Sequence, residues 1–279
     1  MTRSMTPAEK EQFRKLFSGM DVDRVVVTGE ATPEYNCVAW TLGVTTTWMD
    51  PGSRLEDFNN YYMARGFVVG SQREYKVRVW RLSKPPYPLF MIHASVYLPP
   101  GHAESKFGEL LRAQHREGEL SLEWIPVQYY SHDICPSPQE RELIEAVNSG
   151  RFSTLITDDH AGAVLAESAR LSPVRREQFE EAFLAWKATW SLPHMALSAS
   201  AQSVTHSVEF QQLVSMGPDI IASVVEKLLE PDNFFALQLY DRLQPARQLT
   251  VSVNPASDEV FEGEQGRARR TVQRFVASL

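Results

Sequence analysis

Tyr35-Asn36-Cys37-Val38-Ala39-Trp40-Thr41-Leu42-Gly43 is the stretch around which the rest of the chain reads. Asn36 is a good helix N-cap, because its side-chain oxygen can accept a hydrogen bond from a free N–H of the first turn. Cys37 then opens a short helix, where unpaired N–H groups and the helix dipole favour negative charge. Gly43 supplies the stop. A thiol in such a position has a lowered pKa, and its thiolate is a nucleophile. The competing reading of the same residue is a small buried hydrophobe, since free cysteine is among the most buried residue types.

The chain around this stretch is ordinary in composition. Its 279 residues, 43% hydrophobic and 23% charged, suit one large soluble domain or two smaller ones. A net charge of −7 offers no footprint for nucleic acid. The two cysteines, Cys37 and Cys135, stand far apart without a CxxC pattern, which argues against a disulfide framework or a cysteine-rich zinc site. The residues from Met1 to Asp21 are too polar for a signal peptide. Apolar runs stay short of the ~18 residues that suggest a membrane span. The expectation is a cytoplasmic protein without membrane or nucleic-acid partners and without a cofactor.

Outward from Cys37, Thr6-Pro7-Ala8-Glu9 is a capping box that starts a helix running to about Phe17. Val25-Val26-Val27 suits a strand. Thr45 to Pro51 forms a loop around Trp48, and Arg54 to Gly66 a second helix. Alternation predicts strands over Lys76–Leu82, Leu89–Leu98 and Ser121–Tyr130, with turns at Pro85-Pro86-Tyr87-Pro88 and Pro99-Pro100-Gly101. Helices preceding a small sheet of short connections predict an α+β unit with antiparallel pairing.

From Ser137-Pro138-Gln139-Glu140 onward the pattern is helical. Ser172–Trp190 presents Phe179, Phe183, Leu184 and Trp186, and Phe210–Met216, Asp219–Leu229 and Asp232–Leu243 follow as a tight series. Breaks at Met216-Gly217-Pro218 and Glu230-Pro231-Asp232 separate them and suggest a HEAT-like pairing. The final helix, Arg267–Ala277, carries four arginines that read as a solvated face. The chain divides into residues 1–135 and 136–279.

A cysteine nucleophile needs a base within reach, usually a histidine held by a third polar group. His93 interrupts an otherwise apolar strand, so it is either paired in the core or functional. His115 sits among charged residues and by itself reads as surface. His102 follows a Pro-Pro-Gly turn. His132 and Cys135 make a local pair with too few ligands for a metal. Asp158-Asp159-His160 reads as a loop before Gly162, with a metal site as the weaker alternative. No Gly-rich loop precedes a helix in the form that phosphate chemistry uses.

A Cys at a helix start, a His in a later strand and a polar residue on the next element is the order used by papain-like peptidases. Within that superfamily the chain resembles the compact NlpC-type and CHAP-type amidases. It is also similar to a family of uncharacterised microbial proteins with a Tyr-Asn-Cys-Ile-Ala-Trp signature. There the signature is followed by His-Ala, then Ser-Lys-Leu-Gly and a further His. Here the matching residues are Tyr35 to Trp40, His93-Ala94, Ser105-Lys106-Phe107-Gly108 and His115. The resemblance spans roughly residues 31–120 and departs from papain proper, which has a Gln ahead of the cysteine and a Cys-Gly-Ser-Cys-Trp signature.

The resemblance implies a papain-like domain in which Cys37 is the nucleophile and His93 the general base. His115, or else Ser105, orients the base, and Asn36 with the Cys37 N–H would bind an oxyanion. The implied activity is thiol-dependent acyl transfer on a peptide or an amide-bearing small molecule, with hydrolysis ahead of amide formation. The helical half would shape the substrate site or recruit a protein. The alternative is a non-enzymatic protein-binding module on HEAT-like helices with an inactive Cys–His pair. A redox thiol would instead need Cys37 and Cys135 close enough to bridge.

Overall fold

A computed structural model describes residues 2–82, 91–131, 136–192 and 197–279, apart from the side chains of 82, 91 and 92. Thr6 and Glu9 form the expected capping box at the head of α1 (Pro7–Leu16). Strands β1 (Arg3–Ser4) and β2 (Val26–Gly29) flank it, and α2 (Cys37–Thr41) and α3 (Leu55–Met63) follow. The other strands are β3 (Val68–Val69), β4 (Val77–Leu82), β5 (Met91–Leu98), β6 (His102–Lys106), β7 (Arg112–Arg116) and β8 (Trp124–Ser131). They form one eight-stranded sheet in the order β1-β2-β7-β6-β5-β4-β8-β3. Every pairing in it is antiparallel. The chain is thus α+β, as expected, with a larger sheet than the sequence pattern indicated.

Each face of the sheet has its own core, because side chains alternate across a strand. One face packs Trp80, Phe107, Ala113 and Trp124 against Phe13 and Phe17, and Phe13 of α1 meets Phe107 edge-on at 5.1 Å. The other packs Val77, Val79, Ala94 and Tyr130 against Cys37, Val38 and Ala39 of α2 and Phe58 and Tyr62 of α3. The sheet therefore lies between helical layers.

Helices α4 (Pro138–Asn148), α5 (Asp158–Ser168), α6 (Pro173–Trp190), α7 (Val208–Ser215), α8 (Ile221–Lys227), α9 (Ala236–Leu243) and α10 (Gly263–Val276) make up the second half. Their core includes Phe179, Phe183, Trp186, Phe210, Val224, Leu237 and Val272. Leu184, expected on that apolar face, is 62% exposed. Asp158 and Asp159 form the first turn of α5 instead of a loop, and His160 closes a capping box with Thr157. Acidic residues there suit the positive end of the helix dipole. Two of the α10 arginines depart from the expected solvated face: Arg267 pairs with Glu264 and Asp241, and Arg270 with Glu262, while Arg274 is exposed.

The two halves share their interiors. Trp48 leaves the sheet half and inserts into the helical core, 5.6 Å from the ring of Phe234 and 5.2 Å from that of Phe235. Val147, Ala199, Val260 and Phe261 return the contact by completing the core around Cys37. Gly263 sits at the tightest crossing, with φ of 56° and Glu264 N–H donating to Trp48 O at 2.8 Å. A Cβ there would lie 2.3 Å from that carbonyl oxygen, so the position requires glycine.

Candidate functional site

A five-residue helix is too short to be stable by propensity, so α2 depends on its cap and on burial. Asn36 supplies the cap by accepting from Ala39 N–H at 3.0 Å. Its Nδ2 donates to Met49 O at 2.7 Å and Ala199 O at 3.0 Å. The whole amide is used in tying α2 to the Trp48 loop and the helical half. The expected oxyanion donor is thus already occupied.

Cys37 is fully buried, and its Sγ accepts the Ala94 N–H at 3.3 Å. Burial pushes the thiol up to about 12, against smaller opposing contributions from the Ala94 N–H and the nearby Lys106 ammonium. Desolvation of the thiolate thus outweighs the helix-end effect anticipated from the sequence.

His93 is the neighbour of Ala94 and points the other way. Its ring stacks on Phe107 at 5.6 Å and approaches Trp124 at 4.6 Å, within the α1 side of the sheet. The structure brings His93, Ser105 and His115 together but does not bring Cys37 to any of them. The expected Cys37–His93 pair is separated by the sheet itself, because residues 93 and 94 face opposite sides of β5.

The three grouped residues form one hydrogen-bonded line. His93 Nε2 lies 3.0 Å from Ser105 Oγ, which lies 2.9 Å from His115 Nε2, and His115 Nδ1 is 2.8 Å from Arg116 O. The carbonyl can only accept, so His115 Nδ1 carries a proton. Burial holds His115 down to about 4 and His93 well below its ordinary value, so both are neutral at pH 7 and each carries one ring proton. Ser105 therefore donates to His115 Nε2 and accepts from His93 Nε2–H. His93 Nδ1 is left buried without a partner among the described residues. His115, which the charged sequence around it marked as surface, is 2% exposed. It escaped that reading because β7 was not evident: short alternation with arginines conceals an inward face.

Lys106 of the motif, and Arg112 outside it, hold the remaining motif residues in place, a role the sequence did not indicate. Lys106 is buried and donates to Thr32 O at 2.9 Å, Leu110 O at 2.8 Å and Gly108 O, with its Nζ 4.9 Å from the centre of the Tyr35 ring. Arg112 lies 3.8 Å above the Trp40 ring and donates to Thr28 O at 2.6 Å. Tyr35, Asn36, Cys37 and Trp40 thus each meet a specific partner from another element. His102 is exposed, whereas His132 and Cys135 lie outside the described residues. Among the described residues no group of three or more His, Cys, Asp or Glu could hold a metal, and no helix is long and apolar enough to cross a membrane.

Two pockets lie near this joint. One of about 290 Å³ opens beyond the far end of α2, lined by Thr41, Leu42, Arg65, Lys76, Val96 and Ile144 among others, without Cys37. A smaller one of about 90 Å³ lies between the Trp48 loop, α3 and the start of α10. Neither reaches the thiol.

Residues 26–130, from β2 to the end of the sheet, match the model of a family described as a domain of unknown function, DUF7689. That span contains Cys37, His93, Ser105 and His115 and covers well under half of the chain. No curated protein and no solved structure matches the chain.

Proposed function

We propose that this chain is a non-enzymatic binding module in which Cys37 and the His93–Ser105–His115 line are structural. The observation that carries the reading is the closed thiol: Cys37 Sγ is buried against Ala94 N–H, and the histidine expected to activate it faces the other side of the sheet. Thiol-dependent acyl transfer would require that pair to meet within hydrogen-bond reach. The order Cys, His, polar residue that prompts the papain-like resemblance is then an inactive arrangement. HEAT-like pairing in the helical half would offer a protein-binding surface. In support, Val174 and Leu184 of α6 and Val208 of the adjoining α7 are 66%, 62% and 80% exposed.

Iodoacetamide labelling of the Cys135→Ser variant tests this. In the native protein, labelling of Cys37 at pH 6 to 8 should be at least ~100-fold slower than in urea, since a buried, protonated thiol is a poor nucleophile. A Ser105→Ala variant should leave the native rate low. Fast labelling at pH 6 that is abolished by His93→Gln would refute the reading and restore the thiol enzyme.

A further inference from the structure

The pocket between the Trp48 loop, α3 and the start of α10 has a charge imbalance that its own residues do not resolve. Asp50 and Glu264 line it together with Tyr61 and the exposed Glu259, and the rest of its wall is largely apolar, from Met49, Val253 and Val260. Asp50 accepts Gly52 N–H and Ala201 N–H, each at 2.8 Å. Glu264 is 7% exposed and accepts from Arg267 at 2.8 Å through Oε2. Arg267 also pairs with Asp241, so one guanidinium is shared between two carboxyls. Burial pushes Asp50 up to about 7, and the negative charge of Glu264 adds to that rise. Burial likewise raises Glu264 against the opposing effect of Arg267. Two carboxylates in a desolvated space favour a cation or a shared proton.

A second feature points to what would fill it. Tyr61 is 4% exposed and lines the pocket, yet its hydroxyl has no hydrogen-bond partner among the described residues. A buried hydroxyl without a partner is uncommon and costs free energy. Three buried oxygen-bearing groups therefore converge on a small space with largely apolar walls: a carboxyl from the loop, a carboxyl from α10 and a phenol from α3, with the exposed Glu259 carboxyl beside them.

We propose that this pocket binds a primary ammonium group carried on a short alkyl chain. An ammonium has three N–H donors and no acceptor, which matches Asp50, Glu264 and Tyr61 one for one. At ~30 Å³ per water-sized group, the pocket holds roughly three non-hydrogen atoms, the size of an ethylammonium ion. A calcium ion is a poorer fit, since it takes 6–8 oxygen ligands and the three buried side chains supply fewer. The apolar wall would cover the methylenes next to the nitrogen. The ammonium could belong to a free amine or to a lysine side chain reaching in from outside.

The full-length protein is titrated with ethylammonium chloride, Nα-acetyl-lysine methylamide, tetramethylammonium chloride and potassium chloride at constant ionic strength, read by calorimetry and thermal melting. Saturable binding of ethylammonium, absent for potassium and tetramethylammonium, is the expected result. Tyr61→Phe, which keeps the packing, should weaken it about tenfold, the effect of one hydrogen bond to a charged group. Glu264→Gln should weaken it further, and Asp50→Asn is the third variant if it melts as a folded protein. Binding of the lysine derivative with the same Tyr61 dependence would assign the ligand to a protein side chain; binding of ethylammonium alone would assign it to a free amine. An equal response to potassium, no saturable binding of either amine, or unchanged affinity in Tyr61→Phe would overturn the proposal. None of these outcomes depends on the state of Cys37.

Discussion

Replacing Asn36 with alanine tests whether the motif is a structural joint. The substitution removes three well-formed hydrogen bonds, to Met49 O, Ala199 O and Ala39 N, at 2.7, 3.0 and 3.0 Å. Asn36 is fully buried, so water does not readily replace the lost partners. With about 1–1.5 kcal/mol for each group left unsatisfied, the loss is about 4 kcal/mol. Urea unfolding followed by tryptophan fluorescence should show this as a lower midpoint. With a slope of about 3 kcal/mol per molar, the shift is roughly 1.3 M. Asn36→Asp separates the components. It retains the oxygen that caps α2 but turns a second oxygen toward two carbonyls, so at pH 7 it should be at least as unstable as the alanine variant. A loss below about 1 kcal/mol for Asn36→Ala, or a wild-type midpoint for Asn36→Asp, would refute the assignment of Asn36 as the tie between the halves.

Four further outcomes follow from the same geometry. Because His115 titrates at about 4 when folded, against 6.5 ordinarily, the unfolded chain binds the proton first. Stability is complete above pH 6.5 and falls as pH drops toward 4, by up to about 3 kcal/mol from this residue; urea midpoints across that range check it, and a flat profile would contradict neutral burial. Ser105→Ala should cost about 3 kcal/mol by stranding both imidazoles, and ¹⁵N spectra of the wild type should show the proton on Nδ1 of His115 and on Nε2 of His93. Gly263→Ala, which meets Trp48 O at 2.3 Å, should destabilise by about 2–4 kcal/mol in thermal or urea melts. A fragment of residues 1–135 lacks Val147, Ala199, Val260 and Phe261 from the core around Cys37 and should show poor amide dispersion by NMR.

Local rules reached far in this chain. The caps of α1, α2 and α4 were readable because each is a bond between residues three apart: Thr6 with Glu9, Asn36 with Ala39, Ser137 with Glu140. Alternation located β4 and β5 for the same reason, although the start expected at Leu89 and the turn at Pro85 to Pro88 lie outside the described residues. The order of Cys37, His93, Ser105 and His115 along the chain was equally visible. Which of them meet was not, since β5 presents residue 93 to one layer and residue 94 to the other. That one-residue alternation unites His93 with Ser105 and His115 and leaves Cys37 alone. Helix position by itself argued for a reactive thiol, whereas burial, set by residues as distant as Ala199 and Phe261, reversed the sign of its pKa shift. The Asp50–Tyr61–Glu264 pocket gave no local signal at all. Its three groups come from a loop, α3 and α10, and only the folding of α10 across the Trp48 loop brings them together. Short-range hydrogen bonding and side-chain periodicity determine the elements; the tertiary structure alone decides which side of the sheet each polar group faces and how much water reaches it.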